Sequence, residues 1–187
     1  MASTHEVIDL TSDDDAATVN VSAHEVIDLI DDDLTWNDSE TYYASYNGET
    51  VPLYRRLCEH PSCNVMTQLE MCTEHLRVIL GLQVKKSNIK NAGWGLFTTI
   101  TRGKQDFLNY FTGEECWNRV GEYIVHQGNN APNLDCTIQR CSVACANNKQ
   151  FANCTLKVYS SRCKLVTRKV VYAGQELYTT YGTSYRK

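Results

Sequence analysis

The sequence predicts a mainly β fold with short helices, preceded by a small cysteine–histidine segment and a disordered acidic N-terminal tail. Three observations carry this. From residue 84 onward, short β-branched and aromatic runs alternate with glycine, asparagine and proline turns, the pattern of strands joined by tight connections. Charge is divided along the chain: residues 1–50 hold 13 Asp/Glu and no Lys or Arg, whereas residues 51–187 hold the other 9 acids and all 18 bases. Between tail and strands lies a compact C-x4-C-x8-C-x2-H array. The expected divisions are a tail at 1–50, a cysteine–histidine segment at 51–77 and a β domain at 78–187.

The tail comes first. It is rich in Asp, Ser, Thr and Asn, and its apolar residues are too few to bury a core, so it reads as disordered. The phrase HEVIDL occurs twice in it, at 5–10 and 24–29, each time closely followed by three aspartates. Such an island can add as a strand to an exposed sheet edge. Main-chain hydrogen bonds then supply affinity, aliphatic side chains fill a groove, and the acids meet a basic rim. Both copies look like SUMO-interacting motifs, carried by Val7, Ile8 and Leu10 and by Val26, Ile27 and Leu29. Ser12 precedes the first acids, where phosphorylation would add charge. Two copies 19 residues apart span roughly 25 Å as a flexible chain, which suits a partner carrying more than one SUMO unit.

The cysteine–histidine segment follows. Cys58, Cys63, Cys72 and His75 offer the thiolates and imidazole that tetrahedral zinc prefers, with His60 as a spare ligand. Pro61-Ser62 supplies a turn, and Cys72 and His75 share the face of a helix start. The array resembles a zinc knuckle; the alternative is three buried free thiols beside a surface histidine. Four ligands cannot build the two-zinc site of a RING-type ubiquitin ligase.

Nine cysteines without a visible signal peptide are expected to be reduced, and no apolar run approaches a membrane span. The expected compartment is the nucleus, with the cytosol as the alternative. Direct nucleic-acid binding is not expected, because Lys85, Lys86 and Lys90 have few neighbouring aromatics in the sequence.

In the body, VKKSNIKNAGWGLFTT reads as two strands around a glycine turn, with Gly93 and Gly95 bracketing Trp94. Phe107–Phe111 and Tyr123–Val125 read as strands, 134–148 as a mostly buried run, and 154–182 as strand, turn, strand, turn, strand. Five segments then stand in the order of a known family. NAGWGLF is similar to A-G-x-G-x-F, and NYFTGEE to a strand ending in Y-x-G-E. Tyr123 and Asp135-Cys136 are similar to a Y…D-A step. DCTIQRCSVACANNKQFANC runs without a gap against D-A-T-x-x-G-N-x-A-R-F-I-N-H-S-C-x-P-N-C. VVYAGQEL with Tyr181-Gly182 resembles I-x-A-G-E-E-L-x-x-x-Y-G. These motifs resemble the SET domain of protein-lysine methyltransferases over about residues 78–185.

The resemblance implies a SET-like β fold and methyl transfer from S-adenosylmethionine to a lysine of a protein substrate, a histone being one candidate. It implies Tyr181 as the catalytic tyrosine. Gly93, Trp94, Gly95, Tyr123, Asn147 and Asn148 would bind the cofactor, and Phe111, Tyr178 and Tyr185 would line the lysine channel. Ala144, Cys145, Asn148, Gln150 and Ala152 depart from the family's Arg, aromatic, His, Cys and Pro, and Phe111 replaces a tyrosine. Those departures keep an alternative open: a catalytically inactive SET-like binding or scaffold module that binds SUMO.

Overall fold

The computed structural model describes residues 35–181, apart from 118, 120, 122, 128–130, 160 and 161. Both HEVIDL copies, Gly182 and Tyr185 lie outside the described residues. The fold is mainly β with one short α-helix, as the alternating runs predict.

Regular structure is present within the stretch expected to be tail. Residues 35–50, expected in the tail, contain β1 (Tyr43–Tyr46), which pairs with β2 (Glu49–Pro52). Asn47 and Gly48 turn between them with φ of 52° and 84°. Both turn residues need positive φ in this two-residue hairpin, which is why Asn-Gly is its strongest sequence sign. Trp36, only 3% exposed, anchors the segment, and its backbone N–H donates to the Val84 carbonyl at 2.9 Å. Acidity averaged over 50 residues hides this, because the apolar content of 35–53 joins a core that lies elsewhere in the sequence.

β3 (Arg56–Leu57) and β4 (Met66–Thr67) form a small ladder. Helix α1 (Thr73–Leu80) starts at Cys72 and stops at Gly81, whose φ of 58° closes the last turn with bonds to Leu76 and Arg77 carbonyls. β5 (Leu82–Lys86) and β6 (Trp94–Thr98) are the expected pair around the glycine turn. β7 (Phe107–Phe111), β8 (Glu114–Cys116), β9 (Ile124–Val125) and β10 (Asn133–Asp135) follow. A 3-10 helix at Ser142–Cys145 leads into β11 (Asn147–Asn148), then β12 (Cys154–Tyr159), β13 (Arg162–Thr167) and β14 (Glu176–Thr179).

The strands assemble as small sheets. The largest has the order β11-β14-β6-β5, with β11 parallel to β14. Two three-stranded sheets have the orders β12-β13-β7 and β8-β10-β9. One core runs through them. It takes Leu82, Leu96, Leu165 and Leu177 from the body and Trp36, Leu53, Leu69 and Leu76 from residues before 78. The expected boundaries at 50 and 77 therefore do not divide the core. The cysteine–histidine segment is too short to bury a core alone and shares this one.

Polar ties reinforce the junction. The Glu70 carboxylate, 3% exposed, accepts the Ser142 N–H at 2.7 Å, the Ser142 hydroxyl, and an Asn109 amide hydrogen at 2.7 Å. Burial pushes its carboxyl above the usual carboxylate range. Arg56 donates to the Leu69 and Arg140 carbonyls, each at 3.0 Å. No helix among the described residues is long and apolar enough to cross a membrane.

Candidate functional site

Two places in the fold gather chemistry-bearing side chains. The first is a cavity of about 280 Å³ at one end of the β11-β14-β6-β5 sheet. The turn between β5 and β6 forms one side of it. Ser87 N–H bonds to the Gly93 carbonyl at 2.9 Å, and Asn91 and Gly93 adopt φ of 64° and 70°. Gly93 is thus required by backbone conformation, and it brings Trp94 to the cavity wall.

The parallel β11 strand brings Asn147 beside that turn. Its amide donates to the Trp94 carbonyl at 2.9 Å and to Glu176 Oε1 at 3.2 Å. Asn148 Oδ1 accepts the Tyr181 N–H at 3.3 Å, and the Tyr181 hydroxyl donates to the Ala146 carbonyl at 3.1 Å. Gly93, Trp94, Tyr123, Asn147, Asn148 and Tyr181 all line this one cavity. They lie far apart in sequence, and the fold collects them.

Gly95 is placed differently. A Cβ there would stand 2.4 Å from Glu176 Oε1, so Gly95 makes room for a buried carboxylate and does not line the cavity. Glu176, 3% exposed, is a hub. Its Oε1 accepts the Ser87 hydroxyl at 2.6 Å, and its Oε2 accepts the Asn88 N–H at 2.8 Å and the Tyr178 hydroxyl at 2.9 Å. It fixes the 87–89 turn, β11 and β14 to one another.

Of the residues expected in a lysine channel, the two that are described, Phe111 and Tyr178, stand in different places. Phe111 is 6% exposed and lines a separate groove of about 310 Å³ with Tyr110, Leu134 and Arg162. Tyr178 gives its hydroxyl to Glu176, and its ring carries the Lys149 ammonium 4.2 Å from the centroid. Burial, and then that bond to Glu176, push the Tyr178 phenol up to about 12. Tyr185 lies outside the described residues.

Sequence reading missed other residues of the cavity. Trp36 and Tyr42 pack with Trp94 as an aromatic trio, with ring centroids 4.1 to 5.2 Å apart. The signs available were a tryptophan inside an acidic stretch and the Asn47-Gly48 turn after it. Arg140 also lines the cavity, its guanidinium 3.4 Å from the Tyr123 ring centroid. The sign there was a lone cation in the run 134–148, otherwise expected to be buried. Cys145 lines the cavity as well, and burial pushes its thiol up to about 12. It is a neutral wall group near pH 7, not a thiolate nucleophile.

The second place is the cysteine–histidine array. Pro61 and Ser62 turn the chain, closed by Cys63 N–H on the His60 carbonyl at 2.9 Å, and α1 sets His75 three residues after Cys72. Zinc bonds of about 2.3 Å to sulfur and 2.0–2.1 Å to nitrogen, at tetrahedral angles, imply separations of about 3.8 Å between sulfurs and 3.6 Å between sulfur and nitrogen. Here Cys63 and Cys72 sulfurs are 3.9 Å apart. The His75 Nδ1 is 3.5 Å from the Cys58 sulfur and 3.2 Å from the Cys72 sulfur. All four ligand atoms lie within 4.8 Å of one another, so the cluster could hold a metal ion. His60, the spare, stacks on His75 with centroids 4.2 Å apart and bonds to the Ser62 hydroxyl. All nine cysteines are free.

No protein-family model matches the chain, and no curated protein matches it. Solved structures similar to it include the polycomb repressive complex 2 of Chaetomium thermophilum, at 20% identity and a TM-score of 0.49 over 56% of this chain and 15% of that one. The same complex in an autoinhibited conformation bound to S-adenosylmethionine has 20% identity and a TM-score of 0.49, over 57% and 16% of the two chains. The present chain spans about 15% of the length of the chains it matches.

Proposed function

We propose that this chain is a small SET-type protein-lysine methyltransferase that uses S-adenosylmethionine and is stapled by one zinc ion. The observation that carries the reading is the convergence of Gly93, Trp94, Tyr123, Asn147, Asn148 and Tyr181 on one cavity. Those residues come from four separate motifs of the family resemblance, at positions 93–94, 123, 147–148 and 181.

The chemistry asks little of an acid or base. A lysine must shed its proton before it attacks, which from a pKa near 10.4 costs roughly 4.6 kcal/mol at pH 7. A dry aromatic wall disfavours the ammonium, and a nearby cation does so too. The bound cofactor would supply an electrophilic methyl on a sulfonium. Trp36, Tyr42 and Trp94 line the cavity, and aromatic rings attract a cation. Asn147 and Asn148 hold the polar end of the wall, and Tyr181 is oriented from two sides by residues 146–148. In-line alignment then carries most of the rate.

Recruitment is assigned to the tail. Val7, Ile8, Leu10, Val26, Ile27 and Leu29 would add to a sheet edge of SUMO and bring the domain to SUMO-modified proteins in the nucleus. A histone is a candidate substrate. A second reading, a non-catalytic SET-like module, is favoured by Ala144, Cys145 and Asn148, which replace the family's Arg, aromatic and His.

Titration of the full-length protein with S-adenosylmethionine tests the first reading. Binding heat in the micromolar range is the expected result, and none at high micromolar cofactor would remove the methyltransferase assignment. Replacing Val7, Ile8, Val26 and Ile27 by alanine is expected to abolish SUMO binding in a pull-down and leave the cofactor titration unchanged. Loss of both would make the tail part of the domain.

A further inference from the structure

We infer that Arg140 makes the cavity a carboxylate-selective site, which anchors the amino-acid end of the cofactor. The identity of the ligand rests on the methyl-transfer reading; the need for an anion does not.

Arg140 sits on the loop between β10 and the 3-10 helix and is 8% exposed. Its guanidinium lies 3.4 Å from the Tyr123 ring centroid, and Nη2 donates to the Thr137 carbonyl at 3.3 Å. Its Nε is buried and has no acceptor. A buried charge is costly unless it is paired. Among the described residues no carboxylate pairs with it, and the buried carboxylates are engaged elsewhere. Asp135 takes Arg119 at 3.1 Å and the Thr137 N–H at 2.9 Å, Glu70 takes Ser142 and Asn109, and Glu176 takes Ser87, Asn88, Asn147 and Tyr178.

The cavity repeats the same imbalance. Among the described residues lining it, Arg140 is the only charged one. A second donor there, Trp36 Nε1, is also buried without an acceptor. The wall carries no negative charge among the described residues, so its ligand brings it. S-adenosylmethionine carries two positive groups and one carboxylate. A cavity whose charge is a single cation accepts it when the carboxylate meets Arg140 and the sulfonium meets the aromatic trio. In the motif alignment given above, the family has glycine where this chain has Arg140, so the guanidinium is this chain's own feature.

Calorimetric titration of the full-length protein with S-adenosylmethionine and with its decarboxylated analogue tests the inference. Wild type is expected to favour the carboxylate-bearing form by between about 10- and 100-fold, the range of a charge-assisted hydrogen bond. Arg140→Met is expected to bring the two ligands within about threefold of each other by weakening only the carboxylate form. Arg140→Lys is expected to restore part of the preference. Without ligand, Arg140→Met is expected to stay folded, because it loses only contacts to Thr137 and Tyr123 while removing a buried charge that has no carboxylate partner among the described residues. Equal binding of both ligands by wild type, or a preference unchanged in Arg140→Met, overturns the carboxylate subsite and leaves the methyl-transfer reading standing. Failure of both ligands to bind wild type overturns both.

Discussion

Replacing Tyr181 by phenylalanine is expected to lower single-turnover methyl transfer on the order of 100-fold, while cofactor affinity changes by less than about threefold. The geometry separates the two effects. The Tyr181 ring lines the cavity and is kept by the substitution. The hydroxyl, which donates to the Ala146 carbonyl at 3.1 Å, is lost. Its backbone N–H still bonds to Asn148 Oδ1, so the chain after β14 keeps its place. Loss of one hydrogen bond at a half-exposed position costs only about 1 kcal/mol of stability, so the variant folds. What disappears is the fixed polar group beside the place where amine and methyl must align, and misplacements of about 1 Å at such a point cost around 100-fold in rate. Rapid-quench measurement with labelled cofactor, beside calorimetry on the same sample, separates chemistry from binding. Methyl transfer unchanged in the variant would remove Tyr181 from the reaction. Cofactor binding without transfer in the wild type would instead establish the non-catalytic module.

The reasons why this cavity was partly legible in the sequence are physical. Gly93, Asn147 and Tyr181 sit at backbone positions with specific demands: a positive φ, a two-residue parallel pairing, and a place just past β14 where the N–H bonds to Asn148. Such demands leave short fixed phrases that can be read one at a time. Gly95 was legible as a motif residue but misread in role, because the demand on it comes from Glu176, 81 residues away, whose carboxylate occupies the space of its missing side chain. Trp36 and Tyr42 were missed for the opposite reason. They pack on Trp94 across more than 50 residues of chain, and no local pattern announces a contact of that range. The same limit applies to the basic–aromatic pairs. Lys85 over Phe97 and Lys86 over Trp94 arise from the pairing of β5 with β6, which brings each lysine onto an aromatic 8 to 12 residues further along the chain. Phe111 and Tyr178 were grouped by the family resemblance, and in the fold Tyr178 belongs to the Glu176 hub.

Removal of zinc is expected to have the largest effect on stability. The wild-type protein should carry one zinc per chain by elemental mass spectrometry, and a strong chelator or Cys72→Ser should lower its melting temperature by about 8–16 °C. That range follows from losing ~4 kcal/mol, well below the ~10–16 kcal/mol of isolated zinc-finger sites, at ~2–4 °C per kcal/mol for a chain of this size. The smaller figure is used because residues 56–80 do not depend on the metal alone: Leu69 and Leu76 are 1% exposed in the shared core. The effect should also travel. Cys72 begins α1, and Glu70, two residues earlier, holds Ser142 and Asn109. Ser142 opens the 3-10 helix that runs into Asn147 on the cavity wall. Arg56 holds the Arg140 carbonyl from the same side. Loosening the staple therefore frees both the amide and the guanidinium on which the cavity relies. Cys72→Ser is expected to weaken cofactor binding although no metal ligand touches the cavity, whereas Tyr181→Phe leaves the melting temperature within about 4 °C. Less than about 0.1 zinc per chain, with a melting temperature indifferent to chelator, would make the four groups a buried thiol cluster with a surface imidazole. The junction would then be held by Glu70 and Arg56 without a metal.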